Sequence, residues 1–200
     1  MSTTALNAGL ITSFQRILPD MPLQMVTDLL PHFRAHQRER FAPLLNQGEV
    51  WQSVDLIESG LVRMYFLRRD GREFNKSFFA EHSILCPLTP SMWQAPSLFG
   101  IACVEPLKFW RCDSQVFRDI LYQHGQWLPF QNILLSHLLT AKLQREHDLL
   151  ALDGRRRYEA FCAQFPTLAQ RIPLGHLATY LGLTDVSLSR LRRQQREMDS

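Results

Sequence analysis

The sequence predicts an α+β protein, and three observations support this fold class. Residues 3–18 carry apolar side chains at helical spacing. Residues 33–111 form short segments rich in valine, isoleucine, phenylalanine and tyrosine, separated by glycine and proline. Helical spacing returns after Cys112. The predicted order is N-terminal helices, an antiparallel β-roll of the double-stranded jelly-roll type, one long helix and a C-terminal helix-turn-helix.

Two helices are expected before the strands. The apolar positions of the first are Leu6, Leu10, Phe14 and Ile17, and those of the second are Leu23, Val26, Leu29 and Leu30. These residues recur every three or four positions, which places them on one face of each helix. The second helix is expected to end near Pro31, because proline interrupts helical hydrogen bonding.

Turn signals divide the middle of the chain into strands. Residues 55–66 predict two strands around the Ser59-Gly60 turn. Asp70-Gly71 predicts a hairpin with a type I′ turn between strands in residues 64–67 and 74–79. Several short strands at regular spacing are typical of a small antiparallel barrel or sandwich. Asp113-Ser114 is then expected to cap a helix.

A long helix is expected over about residues 126–151, with two apolar stripes. The first stripe comprises Trp127, Phe130, Leu134, Leu138 and Ala141, and the second comprises Leu128, Leu135, Leu139 and Leu143. A helix that is apolar on two faces has two partners, here the β-roll and the same helix of a second subunit. We assign the dimer interface to the first stripe. The alternative is a helix buried within one subunit.

The end of the chain, residues 172–196, predicts two short helices joined by a glycine turn. The apolar positions are Leu174, Leu177, Ala178 and Leu181 in the first helix, and Val186, Leu188 and Leu191 in the second. Gly182 stands where the chain must turn sharply with a positive φ, and Thr184 or Asp185 caps the second helix. This layout is that of a helix-turn-helix, whose second helix lies in the major groove of DNA. The alternative is a helical hairpin with a solvated basic face.

Positive charge is concentrated in the same region. Residues 1–150 hold 14 basic and 14 acidic side chains, whereas residues 151–200 hold eight arginines, no lysine and five acidic residues. Arg155, Arg156 and Arg157 form a cluster before the two helices. Arginine suits contacts with phosphate and guanine, because its planar guanidinium donates two parallel hydrogen bonds. The segregation of charge favours a phosphate-binding module.

Other classes of protein find little support in the sequence. No apolar run reaches about 18 residues, and the N-terminus lacks the pattern of a signal peptide. The sequence has four cysteines, Cys86, Cys103, Cys112 and Cys162. Their spacing does not match that of a zinc site. We therefore expect a cytoplasmic protein with free thiols, no metal site and no membrane partner. No nucleophile elbow, P-loop or dinucleotide fingerprint is present, so no catalytic residue is assigned and an enzyme is not expected.

The order of elements resembles that of the cyclic-AMP receptor protein/fumarate-nitrate regulator (Crp/Fnr) family of transcription factors. The resemblance is carried by residues 55–63, 70–73 and 172–193. It implies a cyclic-nucleotide-binding-like sensor domain over residues 1–125, a dimerisation helix over 126–152 and a DNA-binding domain over 153–200. It also implies a homodimeric transcription regulator that binds double-stranded DNA. RNA polymerase and a small-molecule effector are the further partners that the resemblance suggests.

The resemblance also assigns the contacts with DNA. Family members recognise DNA with the N-terminal part of the second helix, which implies that Asp185, Val186, Ser189 and Arg190 lie near base edges. Arg190 is expected to contact a guanine through two hydrogen bonds. The remaining assigned residues, expected to meet phosphate or solvent, are Thr184, Ser187, Arg192, Arg193 and Arg196.

The chain departs from the family pattern in two places. Nucleotide-binding members carry a glycine-glutamate pair and an arginine that pairs with the cyclic phosphate. Residues 80–105 contain neither, and Lys76 is the one basic residue between Glu73 and Glu105. Burying a phosphate without a cation is costly, so cyclic AMP and cyclic GMP are not expected to bind and no cofactor is assigned. No C-terminal wing is expected after the second helix, and DNA affinity is expected to be weaker for that reason.

Two further alternatives concern the sensor region and the function. The apolar segment of residues 87–98 either admits a more apolar effector or simply plugs the pocket. His32, His82 and Cys86 are isolated, so haem ligation is not the favoured expectation.

The second functional hypothesis is a small-molecule-binding signalling module whose helical tail docks a protein partner. Steep weakening by salt is expected for DNA binding and not for such docking.

Overall fold

A computed structural model describes the backbone of residues 3–198 and the side chains of residues 8–9 and 11–194. It confirms the predicted α+β class, with helices at both ends of the chain and antiparallel strands between them. Within the described residues the strands form two four-stranded sheets and not a closed barrel.

The two N-terminal helices form where the apolar spacing predicts them. Helix α1 spans Thr3–Ile17 and helix α2 spans Leu23–Leu29, followed by a 3-10 turn at Leu30–His32. Phe14 and Leu29 are fully buried. The side chains of Leu6 and Leu10, also predicted for this apolar face, lie outside the described residues.

Eight strands of the described residues form the two sheets. They are β1 (Arg34–Arg38), β2 (Pro43–Leu45), β3 (Ser53–Ser59), β4 (Val62–Leu67), β5 (Glu73–Phe79), β6 (Ile84–Leu85), β7 (Gly100–Cys103) and β8 (Leu107–Asp113). The first sheet has the order β1-β8-β3-β6 and the second has the order β2-β7-β4-β5. The pairs β1-β8, β8-β3, β3-β6 and β2-β7 are antiparallel, and the two pairings of β8 place it inside the first sheet.

The predicted turns are present, with one change of turn type. Gly60 joins β3 to β4 with a φ of 107°, and a Cβ at this position would lie 2.5 Å from the carbonyl oxygen of Pro106. The hairpin between β4 and β5 is confirmed, but the type I′ turn is wrong. That turn needs a positive φ at both central residues, and here Gly71 has one whereas Asp70 does not. The loop is longer, because Arg68 N–H donates to the carbonyl of Arg72 at 2.9 Å.

The elements that remain to be named are all helices. They are α3 (Pro90–Gln94), α4 (Ser114–Gln123), α5 (Trp127–Ala151), α6 (Gly154–Gln164), α7 (Pro166–Arg171), α8 (Leu174–Leu181) and α9 (Asp185–Met198). Asp113 caps α4 as predicted, since its Oδ1 accepts N–H groups from Gln115 and Val116. Helix α6 ends at Gln164, and Pro166 begins α7, a position that suits proline because its missing N–H has no partner there.

Contacts divide the chain into two compact units. The first unit comprises residues 1–64 and 78–138, and the second comprises residues 65–77 and 139–200. Helix α5 therefore contributes to both units, and the hairpin at residues 65–77 is grouped with the C-terminal helices. The predicted domain boundaries, 1–125, 126–152 and 153–200, stay a prediction.

A buried ion pair links the two central strands of the first sheet. Asp55 on β3 lies opposite Arg111 on β8 and is 1% exposed. Arg111 donates to both carboxylate oxygens, at 2.6 and 2.8 Å. Burial raises the pKa of Asp55, and the hydrogen bonds from Arg111 oppose that rise. The pair satisfies both charges inside the sheet, where an unpartnered charge would be costly.

Candidate nucleic-acid interface

Helices α8 and α9 form a two-helix motif with a small apolar core. Leu177, Ala178, Leu181 and Leu188 are each at most 5% exposed. Ala178, which has a small side chain, is fully buried in this core. The motif therefore has a defined interior, and Val186, Ser189 and Arg190 of α9 are exposed outside it.

The turn and the cap of the motif lie where the sequence places them. Gly182 ends α8 in the left-handed conformation, with a φ of 66° and a ψ of 36°, and a Cβ there would lie 3.2 Å from Leu149. Thr184 caps α9, because its hydroxyl oxygen accepts the N–H of Ser187 at 3.1 Å. These two residues set the direction in which α9 leaves the turn.

The predicted DNA-contact residues differ in their surroundings. Most of them are exposed, namely Thr184, Asp185, Val186, Ser187, Ser189, Arg190 and Arg193. The carboxylate of Asp185 lies near Gly175 in the first turn of α8, with 3.3 Å between its Oδ2 and the position of an added Cβ. The side chain of Arg196 lies outside the described residues.

Arg192 connects α9 with α7 in the same chain. It is partly buried, and its Nη2 donates to the backbone carbonyl of Ala169 in α7 at 3.2 Å. Its positive charge and hydrogen bond also act on the hydroxyl of Tyr158, whose pKa burial raises and Arg192 lowers. These contacts give Arg192 a structural role that the sequence reading missed.

The three consecutive arginines before the motif also have separate roles. Arg157 donates to the carbonyls of Leu149 and Leu152 and so caps the end of α5. Arg155 pairs with Glu159 at 2.7 Å on the surface of α6, and its side chain stays 54% exposed. Arg156 is also exposed. The guanidinium of Arg156 lies 4.0 Å from the carboxylate of Asp153. Arg155 and Arg156 thus lie on the surface beside acidic residues, whereas Arg157 is used within the fold.

Asn75, on strand β5, links the hairpin of the second unit to α8. It is 2% exposed, and its Nδ2 donates to the carbonyl of His176 at 3.0 Å and to the hydroxyl of Thr179 at 2.8 Å. Arg145 of α5 donates to the carbonyls of Asn75 and Tyr180, and its guanidinium lies 4.8 Å from the centre of the Tyr180 ring. The first helix of the motif is therefore anchored by two other elements of its unit.

Helix α5 buries only the beginning of the stripe assigned to a dimer interface. Trp127 and Phe130 are at most 1% exposed and pack in the core of the first unit, with Phe130 5.8 Å from Phe14 between ring centres. They are therefore occupied within their own subunit. The other predicted interface residues, Leu134, Leu138 and Ala141, are partly buried or exposed.

Apolar side chains fill the space between the two sheets. The buried cluster includes Trp51, Phe99 and Phe109, and the rings of Trp51 and Phe99 meet edge to face at 5.8 Å. Lys76, which is the only lysine or arginine between Glu73 and Glu105, belongs to the second unit. Burial lowers the pKa of Lys76, and nearby Lys142 lowers it further.

The apolar segment of residues 87–98 is packed against helices of the first unit. Trp93 lies with its ring centre 6.1 Å from that of Trp127, and the guanidinium of Arg118 stacks over Trp93 at 4.2 Å. Gln131 donates to the carbonyl of Leu88. These contacts hold Leu88 and Trp93 of the segment against α4 and α5.

All four cysteines are free thiols. In the described part of the chain, no group of three or more His, Cys, Asp or Glu side chains is placed to bind a metal ion. Among those same residues, no helix is both long enough and apolar enough to cross a bilayer.

Comparison with solved structures shows which class of protein shares this fold. FixK2 from Bradyrhizobium japonicum is similar, with a TM-score of 0.74 and 15% identity over 84% of this chain and 86% of its own. A CooA mutant from Carboxydothermus hydrogenoformans has a TM-score of 0.69 and 21% identity over 85% of this chain and 79% of its own. The c-di-GMP-responsive regulator CLP from Xanthomonas campestris has a TM-score of 0.71 and 13% identity, covering 89% of this chain and 93% of its own.

These neighbours are regulators of the Crp/Fnr type, so the chain has the fold that its sequence resembles. No protein-family model matches the sequence, and no curated protein matches it either. The similarity therefore establishes the fold, and the function has to be argued from the residues of this chain.

Proposed function

We propose that the protein is a sequence-specific DNA-binding transcription regulator that acts as a homodimer and has a degenerate cyclic-nucleotide pocket. One observation carries the proposal. Val186, Ser189, Arg190 and Arg193 are exposed on α9 at the spacing i, i+3, i+4 and i+7, opposite the buried Leu188. This spacing makes one continuous face of the helix, as a helix-turn-helix needs for the major groove.

The chemistry of this face suits DNA. The guanidinium of Arg190 offers two donors to the O6 and N7 of a guanine, and Ser189 offers a hydroxyl beside it. Arg193, one turn further along, and the exposed Arg155 and Arg156 of α6 are placed in our proposal on the phosphates. Phosphate contacts orient a protein on the duplex, whereas base contacts select the sequence.

The proposed dimer uses α5, with an interface that differs from the first assignment. Trp127 and Phe130 are left out because their own core buries them. Leu134, Leu138 and Ala141 are retained, and the second stripe joins them because Leu128, Leu139 and Leu143 are 64%, 58% and 58% exposed. Two such helices side by side would cover these leucines and present two copies of α9 about one DNA turn, roughly 34 Å, apart.

The proposal of a degenerate pocket rests on how the β-roll is filled. Buried apolar side chains occupy its interior, and the cassette region has no arginine of its own. The buried cation beside that segment, Arg118, is stacked on Trp93. A cyclic phosphate would meet no suitable counter-charge there, so we expect no heat on titration with cyclic AMP or cyclic GMP.

Selection from random DNA with the purified full chain tests the proposal. We expect one enriched sequence with two related half-sites, bound with an affinity that falls steeply as salt is added. Arg190→Ala should weaken binding by about 1–3 kcal/mol and relax the preference at one base pair of each half-site. Arg69→Ala, which removes an exposed arginine from the hairpin loop, is the matched control and should leave binding unchanged.

The same experiment separates the proposal from its main rival. A signalling module that docks a protein partner through leucine faces would enrich no DNA sequence, and its association would respond weakly to salt. Equal loss of affinity for every DNA sequence in Arg190→Ala would instead show that Arg190 meets a phosphate.

A further inference from the structure

Val186 is an apolar side chain within the otherwise polar face of α9. It is 61% exposed, whereas Leu188, two positions later, is fully buried. Its neighbours on the same face are Ser189 and Arg190. A β-branched side chain loses rotamer freedom in a helix and gains no packing where it faces solvent.

The start of α9 is held without Val186. Thr184 caps the helix through the N–H of Ser187, and the buried Leu188 anchors its first full turn. Leu183, before the cap, packs so closely on Gly154 that an added Cβ would lie 2.7 Å from its Cδ2. None of these contacts involves Val186, and we attribute the valine to a contact outside the chain.

We propose that Val186 reads the 5-methyl group of a thymine, next to the guanine that Arg190 contacts; this inference rests on the proposed DNA-binding function. In the major groove, that methyl group is the apolar mark that distinguishes thymine, and small apolar side chains contact it. Val186 and Arg190 are four residues apart on one helix face, which is about 6 Å along the axis. Base pairs are spaced by about 3.4 Å, so the thymine lies within about two base pairs of the guanine.

A double-mutant cycle between Val186 and the methyl group tests this inference. The DNA is the sequence selected by the full chain, and deoxyuridine replaces the thymine to remove only the methyl group. The protein change is Val186→Ala, and Val50→Ala is the matched control because Val50 is an exposed valine outside α9. Fluorescence anisotropy measures the four dissociation constants, and thermal unfolding checks that both variants remain folded.

We expect deoxyuridine to weaken binding by the unaltered chain about fourfold per half-site, the effect of one buried methyl group. Val186→Ala should bind the thymine site with similarly reduced affinity, and deoxyuridine should then cause no further loss. Val50→Ala should retain the full preference for thymine.

Two results would overturn the inference while leaving the proposed function intact. One is a selected half-site without a thymine within about two base pairs of the guanine, and the other is fully additive losses in the cycle. Failure to enrich any DNA sequence would reject the proposed function itself, and this inference with it.

Discussion

At the scale of single residues, the arginines of the C-terminal region differ in their burial, with Arg157 and Arg192 partly buried. Arg157 and Arg192 donate to backbone carbonyls of α5 and α7. Such carbonyls have no partner within their own helix and attract cationic donors. Arg190 and Arg193 are exposed on α9 instead. The charge count of this region therefore overstates the number of arginines that are available for DNA.

The cysteines also differ in how deeply they are buried, and this difference predicts their reactivity. Burial raises the pKa of Cys103 to about 11 and that of Cys112 to about 12, and it raises the pKa of Cys86 as well. Cys162 is only partly buried. Because the thiolate is the reactive form, we expect one thiol per native chain to react promptly with a disulfide reagent, and Cys162→Ser to abolish that phase. Two or more fast thiols would show that the core opens readily.

At the scale of elements, the hairpin at residues 65–77 is the feature that gives α8 its position within the second unit. Asn75 in this hairpin is buried, and its side chain donates hydrogen bonds to two groups of α8 that lie more than 100 positions away in sequence. Arg145 adds a third connection by donating to the carbonyls of both Asn75 and Tyr180. The hairpin and the two-helix motif should therefore resist unfolding together.

The Asn75→Ala variant tests this coupling. Removing the buried amide abolishes its hydrogen bonds to the carbonyl of His176 and the hydroxyl of Thr179, which should lower the free energy of unfolding by about 1–3 kcal/mol. We expect faster hydrogen exchange at the amides of α8, measured by mass spectrometry. Asn132→Ala is the control, since Asn132 is exposed on α5 and should change little. Equal effects of the two substitutions would contradict a specific link through Asn75.

At the scale of the whole molecule, α5 determines how two subunits could associate. Its first turns are buried in the core of the first unit through Trp127 and Phe130. Leu139 and Leu143 lie four residues apart further along and are each 58% exposed. An apolar stripe of this kind on the surface is more often an interface than a solvated face.

Introducing charge into that stripe should separate the subunits. With Leu139→Glu and Leu143→Glu combined, we expect the dimer to weaken by about 3 kcal/mol, more than a hundredfold, because carboxylates would have to be buried. Sedimentation velocity measures the change, and DNA affinity should fall with it. Leu98→Glu, at a residue that is 78% exposed in a loop, is the control. An unchanged sedimentation coefficient in the double variant would place the interface elsewhere.

The sequence by itself determined the features that depend on neighbouring residues. The succession of N-terminal helices, strands, one long helix and a final pair of helices was predicted correctly, as were the caps at Asp113 and Thr184 and the turn at Gly182. Each of them is decided within a few residues, by apolar spacing, a short polar side chain or a positive φ. The turn type at Asp70-Gly71 was predicted wrongly, because the same dipeptide fits a longer loop as well.

Only the tertiary structure decided which of the chemically equivalent side chains remain available. Sequence spacing makes both stripes of α5 equally apolar, and only packing against Phe14 shows that Trp127 and Phe130 belong to the core. Nothing near Arg192 in the sequence indicates its bond to Ala169, and nothing near Asn75 indicates α8. Such choices depend on contacts between distant segments, and these exist only once the chain has folded.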